Sequence, residues 1–162
     1  MKNKSDSIQE LFSLTLGKLE LAFMYVGYSG VILRTIDSTV AFDVADLLKG
    51  DEIRALENLN LLLFTHSHGD HYKPMETLEI FRETGARIVA EPNVAKDLKG
   101  KIPSEKLTSA NHGITYSIDD FEITVVKGSP SWANKPLPSQ DGWYKHLPRR
   151  RLRLRLSEIF SF

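Results

Sequence analysis

Apolar residues along this chain fall into short runs broken by Gly, Pro, Asn and Asp, a pattern of strands alternating with short helices. Residues 19–26 and 30–34 read as two strands. The Gly27-Tyr28-Ser29-Gly30 stretch between them reads as a hairpin turn, with the freedom to approach a ligand closely as the lesser alternative. Thr39 to Val44 is a further short strand, with Asp43 near its end, and Leu61-Leu62-Leu63-Phe64 is apolar throughout, as a buried strand is. Residues 51–58 have helical spacing, with Ile53, Leu56 and Leu59 on one face and Asp51 placed to cap. A second helix is expected from Pro74 to just before Gly85, with Met75, Leu78 and Phe81 as its core stripe and Ile80 at the flank. Arg87 to Ala90 is another strand, and Pro92 opens a helix that Gly100 closes. Lys106 to Ser109 is expected to pair with later strands. Residues 114–118 and 121–126 flank Asp119-Asp120 as a hairpin. Residues 8–16 fit a helix or an edge strand equally.

Composition narrows the class. At 162 residues, with 41% hydrophobic and 26% charged positions, the chain has the length and balance of an ordinary globular domain. There is no Cys, which excludes disulfides and thiolate metal ligands and fits a cytoplasmic protein. Lys18 and Glu20 interrupt the apolar stretch near the N-terminus, so neither a signal peptide nor a membrane span is expected. The zero net charge hides an asymmetry: residues 143–162 hold six Lys/Arg against one acid, and the other 142 residues hold 15 Lys/Arg against 20 Asp/Glu. That break marks a boundary, drawn here between a domain over 1–147 and a basic tail over 148–162.

The chemistry is concentrated directly after the apolar run at 61–64, in His66-Ser67-His68-Gly69-Asp70-His71. Imidazoles and carboxylates are ligands for zinc and other divalent first-row ions. In an extended segment, residues two apart point the same way, so His66 and His68 are placed to grip one ion. Gly69 permits a sharp turn, after which Asp70 and His71 face a second. Asp43, at the end of a strand expected to neighbour this one, is placed to hold a ligand imidazole by its other ring nitrogen. Capping of the next turn is an equal alternative for it. His112, in Asn111-His112-Gly113, and His146, in the basic tail, are read as a turn residue and a surface residue.

The His-x-His-x-Asp-His pattern resembles the signature of the metallo-β-lactamase superfamily. The Gly27–Leu33 run followed by Asp43, together with Glu91-Pro92 and residues 99–126, resembles its branch of ascorbate-6-phosphate lactonase-like hydrolases. The resemblance implies an α/β protein with an αβ/βα sandwich, and a metal-dependent hydrolase of a small ester, lactone or phosphorylated metabolite. It implies one or two zinc ions, with manganese or iron as alternatives, held by His66 and His68 on one side and Asp70 and His71 on the other. Asp70 would also orient the nucleophile, and the ions would acidify a water to make it.

The chain departs from that pattern in its second half. The loop at 127–132 has no His, the Gly-Asp pair expected after residue 147 is replaced by Arg149-Arg150-Arg151-Leu152-Arg153-Leu154-Arg155-Leu156, and a final His is absent. The sandwich is therefore expected to be incomplete in its second half. The tail is either a strand of alternating Arg and Leu or, the favoured reading, non-native sequence from a shifted frame or truncation. The competing functions are a non-catalytic remnant that binds metal weakly and, third, a nucleic-acid-interacting protein using the Arg-rich tail. The expected partner is a small-molecule substrate, without a membrane and with nucleic acid disfavoured; an oligomer able to supply missing ligands stays open.

Overall fold

The computed structural model describes residues 3–45, 47–119 and 121–127, and the backbone of 152–158. The chain divides into two compact units, residues 1–109 and 110–162. The expected boundary at 147/148 and His146 lie outside the described residues.

The first unit is built on a six-stranded sheet in the order β1 (Ala22–Gly27), β2 (Gly30–Arg34), β3 (Thr39–Phe42), β4 (Leu61–Phe64), β5 (Arg87–Ala90), β6 (Leu107–Ser109). Strands β1 to β3 are antiparallel, and β3 to β6 run parallel. The parallel half is why β4 is apolar at every position: all four of its residues are buried. Short crossovers join the parallel strands, carrying α2 (Asp51–Arg54), α3 (Pro74–Thr84) and α4 (Pro92–Leu98). Alternate residues of the sheet, Ile32, Ala41, Leu62, Phe64, Ile88 and Ala90, form one core with Leu48, Ile53, Leu56, Ile80, Val94 and Leu98. The second unit holds a three-stranded sheet of β7 (Thr115–Ile118), β8 (Phe121–Lys127) and β9 (Leu152–Glu158), in which β7 and β8 form the expected hairpin and β9 pairs parallel to β8. The backbone over 152–158 thus takes the strand conformation that the alternating pattern permits.

One open reading is decided and four expectations are corrected. Of residues 8–16, left open between helix and strand, 8–13 belong to α1 (Lys4–Ser13), whose N-cap Asn3 accepts from the Asp6 amide at 2.7 Å. Asp51 is not a cap: Gly50 holds that position, and Asp51 pairs instead with Arg54 inside a helix of one turn. On α3 the buried positions are Thr77 and Ile80, while Met75 is 69% exposed. Leu78 and Phe81 pack only at the core's edge, so the inward face lies about one position away from the Met75 stripe. The Leu107–Ser109 strand pairs with β5, not with a later strand. Gly69 is not among the residues with positive φ and has open space where a Cβ would stand. The turn it occupies closes through backbone bonds instead, with the His71 and Tyr72 amides both donating to the His68 carbonyl at 2.9 Å.

Candidate metal centre

Parallel strands deliver their carboxyl ends to one edge of a sheet, and side chains there face the crevice beyond it. Asp43 follows β3, and Thr65 and His66 follow β4; the Asp43 amide still donates to Leu63 at 2.9 Å, so the two ends stay in register. Asp43 has φ +48°, a left-handed conformation that Asp tolerates better than most residues. That conformation turns its carboxylate to the end of β4. Asp43 accepts there from the Thr65 amide at 2.9 Å and from the Thr65 hydroxyl at 2.7 Å, and it lies 3.0 Å from His71 Nδ1. It is 3% exposed.

The proton positions follow from that carboxylate. An ionised carboxylate accepts only, so His71 Nδ1 carries a hydrogen and donates it. The Thr65 hydroxyl spends its one proton on Asp43, so at its 2.9 Å contact with His66 Nδ1 it accepts, and His66 Nδ1 carries a hydrogen as well. One buried carboxylate thereby sets both tautomers, directly at His71 and through Thr65 at His66. Both Nε2 lone pairs are left available to a metal.

His66, Asp70 and His71 each offer a ligand atom within 4.8 Å of the others. His71 is buried, His66 half-buried, and Asp70 exposed on the turn with Oδ2 3.5 Å from His71 Nε2. The His66 and His71 ring centroids are 3.8 Å apart. The hydrogen bond that His71 donates to Asp43 raises the His71 pKa, whereas burial, aided by the His71 charge, lowers that of His66. His68 is exposed and stands outside the three-donor group, with its ring edge-on to His66 at 4.7 Å. His112 lies in a turn of the second unit, where the Ile114 amide donates to Asn111. Two imidazoles and a carboxylate fit the donor preferences of zinc, and equally those of manganese or iron.

Two neighbours are absent from the sequence-derived site. Thr65 sits between strand and motif with nothing in its type to mark it. Ser29 belongs to the β1–β2 turn, which is present as expected and also brings its hydroxyl to 2.7 Å from His71 Nδ1. At the far end of the motif Tyr72 is 6% exposed, packs edge-on to Phe64 with ring centroids 5.3 Å apart, and donates to Asp97 at 2.5 Å. It ties the end of the turn to α4.

The chain is similar to known proteins. The β-lactamase superfamily domain matches residues 41–143. A metal-dependent hydrolase from Thermococcus onnurineus is 33% identical over 123 residues, covering 76% of this chain and 47% of the relative. One from Oenococcus oeni is 31% identical over 115 residues, 67% of this chain and 47% of the relative. The chain thus spans about half the length of the curated relatives it matches. Among solved structures, a metallo hydrolase from the archaeon Ignicoccus hospitalis superposes with a TM-score of 0.55 at 22% identity, covering 74% of this chain and 54% of that one, a likeness of fold.

Proposed function

Since the chain belongs to the metallo-β-lactamase superfamily, we propose that it is a metal-dependent hydrolase of a small ester, lactone or phosphorylated metabolite, acting in the cytoplasm. The observation that carries this reading is the convergence of His66, Asp70 and His71 at the end of β4, with both imidazoles oriented from one buried carboxylate. His66 and His71 would hold the metal through Nε2 and Asp70 through its carboxylate, with His68 at the rim. When bound, a divalent ion polarises a carbonyl or phosphoryl oxygen and brings the pKa of water toward neutrality. In each neutral ring Asp43 keeps the hydrogen on Nδ1, directly or through Thr65, which leaves Nε2 as the lone-pair nitrogen. Asp70, exposed on its turn, is placed to hold a water by hydrogen bonding and to orient it toward a substrate entering from solvent. Residues 66–72 lie on a turn closed by two backbone bonds and anchored by Tyr72, which fixes the donors before a metal arrives.

A second reading, a weakly metal-binding and non-catalytic form, is favoured by the exposure of His68 outside the cluster, which leaves three convergent donors among the described residues. Elemental analysis of purified chain for zinc, manganese and iron, with turnover of lactone and phosphodiester substrates, separates the two. Hydrolysis abolished in His71→Ala supports the enzyme; metal bound weakly with no turnover supports the second reading.

A further inference from the structure

The function proposed above leaves the β1–β2 turn without a task, yet that turn is held in an uncommon conformation against the His cluster. Tyr28 has φ +46°, which a bulky side chain rarely adopts. The Tyr25 hydroxyl donates to the Tyr28 carbonyl at 2.7 Å and latches it. At Gly30 a Cβ would stand 2.3 Å from Leu47 Cδ1 and 2.7 Å from Val26 Cγ2, so the turn is pressed onto the connection that follows β3. Backbone strain of this kind persists where the surroundings over-determine it, and it gathers at working sites. What the turn presents is Ser29, whose Oγ is 2.7 Å from His71 Nδ1 and 3.2 Å from Nε2.

We infer that Ser29 is a positioning residue for His71, the hydroxyl and the Asp43 carboxylate clasping the imidazole from two separate elements of the sheet. The inference rests on the reading of His71 as a metal ligand. Asp43 Oδ2 accepts the Nδ1 hydrogen, while Ser29 Oγ, close to both Nδ1 and Nε2, rests against the face of the ring. Turning the ring over about its Cβ–Cγ bond would exchange Nδ1 with Cδ2 and Nε2 with Cε1, so the Asp43 bond would be lost and the Ser29 hydroxyl would face two carbons in place of two nitrogens. With Asp43 alone, only one contact opposes that rotation. The hairpin turn therefore sets how strictly Nε2 is aimed at the cluster, and residues 25–30 belong to the site although none of them is itself a donor to the ion. Partners behind a ligand imidazole are commonly worth 10–100-fold in metal affinity.

The test compares the parent chain with Ser29→Ala, Ser29→Thr and His71→Ala. It reads zinc affinity by competition with a chromophoric chelator, and the His71 tautomer by long-range proton–nitrogen correlation in the metal-free chain. Ser29→Ala is expected to weaken zinc binding roughly 10-fold, at the low end of that range, and to mix the His71 tautomers. Ser29→Thr, which keeps the hydroxyl, is expected to restore both, a rescue that a generic packing defect would not show. Unchanged His71 signals and unchanged zinc affinity in Ser29→Ala overturn the inference while the ligand reading stands. Zinc binding that His71→Ala does not alter sinks the ligand reading itself, and the tautomer measurement then still decides whether Ser29 orients the ring.

Discussion

Asp43→Asn is the perturbation that the geometry makes most informative. The substitution keeps size and shape, and Asn tolerates the φ of +48° at this position. Its amide oxygen can replace Oδ1 and still accept from the Thr65 amide. The NH2 group takes the place of Oδ2, where the Thr65 hydroxyl and His71 Nδ1–H both donate. Donor then meets donor. The Thr65 hydroxyl must turn to accept from the new NH2, and it then offers its proton to His66 Nδ1. Both rings are driven to carry their hydrogen on Nε2, the atom a metal needs. A hydrogen bond to a charged group is worth about 1.5–3 kcal/mol and a neutral one about 1 kcal/mol. With three bonds reduced in strength and partly rearranged, a net loss of about 2 kcal/mol is expected. For a chain of this length that is a fall in Tm of about 4–8 °C. Zinc affinity should fall by about 10–100-fold. Thermal unfolding followed by circular dichroism in the metal-free chain, with chelator competition for zinc, measures both quantities. A variant that melts within about 1 °C of the parent and binds zinc as tightly would refute the view that one buried carboxylate sets both tautomers.

Three further outcomes are expected. Gly69→Ala should leave stability unchanged or raise it by about 0.4–1 kcal/mol, because its φ is not positive and nothing lies within 4 Å of the added Cβ; a clear fall in Tm would show that the turn needs glycine. Tyr72→Phe keeps the packing on Phe64 but removes the hydroxyl bond to Asp97, and should cost about 1.5–3 kcal/mol at most, read by denaturant unfolding, with an unchanged midpoint counting against Tyr72 as the anchor. The Asp43 bond raises the His71 pKa, so its stabilisation of the metal-free chain is complete below the unfolded value of about 6.5 and is lost as pH rises through the higher folded value. The Tm gap between parent and Asp43→Asn should therefore be wider near about pH 5.5 than near about pH 8, and a gap that widens toward alkaline pH would contradict it.

The sequence by itself determined which donor groups the candidate site holds and where in the fold they stand. An all-apolar run of strand length can only be a buried strand or part of a buried helix, and three imidazoles with a carboxylate immediately after it have few uses other than a metal. Helix starts at Pro74 and Pro92 and the left-handed Gly85 were also legible, because the missing amide of proline and the missing Cβ of glycine act locally. The tertiary structure decided what depends on partners distant in the chain. The three-residue spacing of Met75, Leu78 and Phe81 does not say which flank of a helix meets the sheet, and packing chose Thr77 and Ile80. Leu107–Ser109 has no local feature that distinguishes β5 from a later strand as its neighbour. His66 and His68 share an extended segment, but the turn that follows draws only His66 in with Asp70 and His71. The links of Asp43 and Ser29 to His71 span 28 and 42 positions, and short polar side chains at that separation carry no mark of the partner until the sheet brings them together.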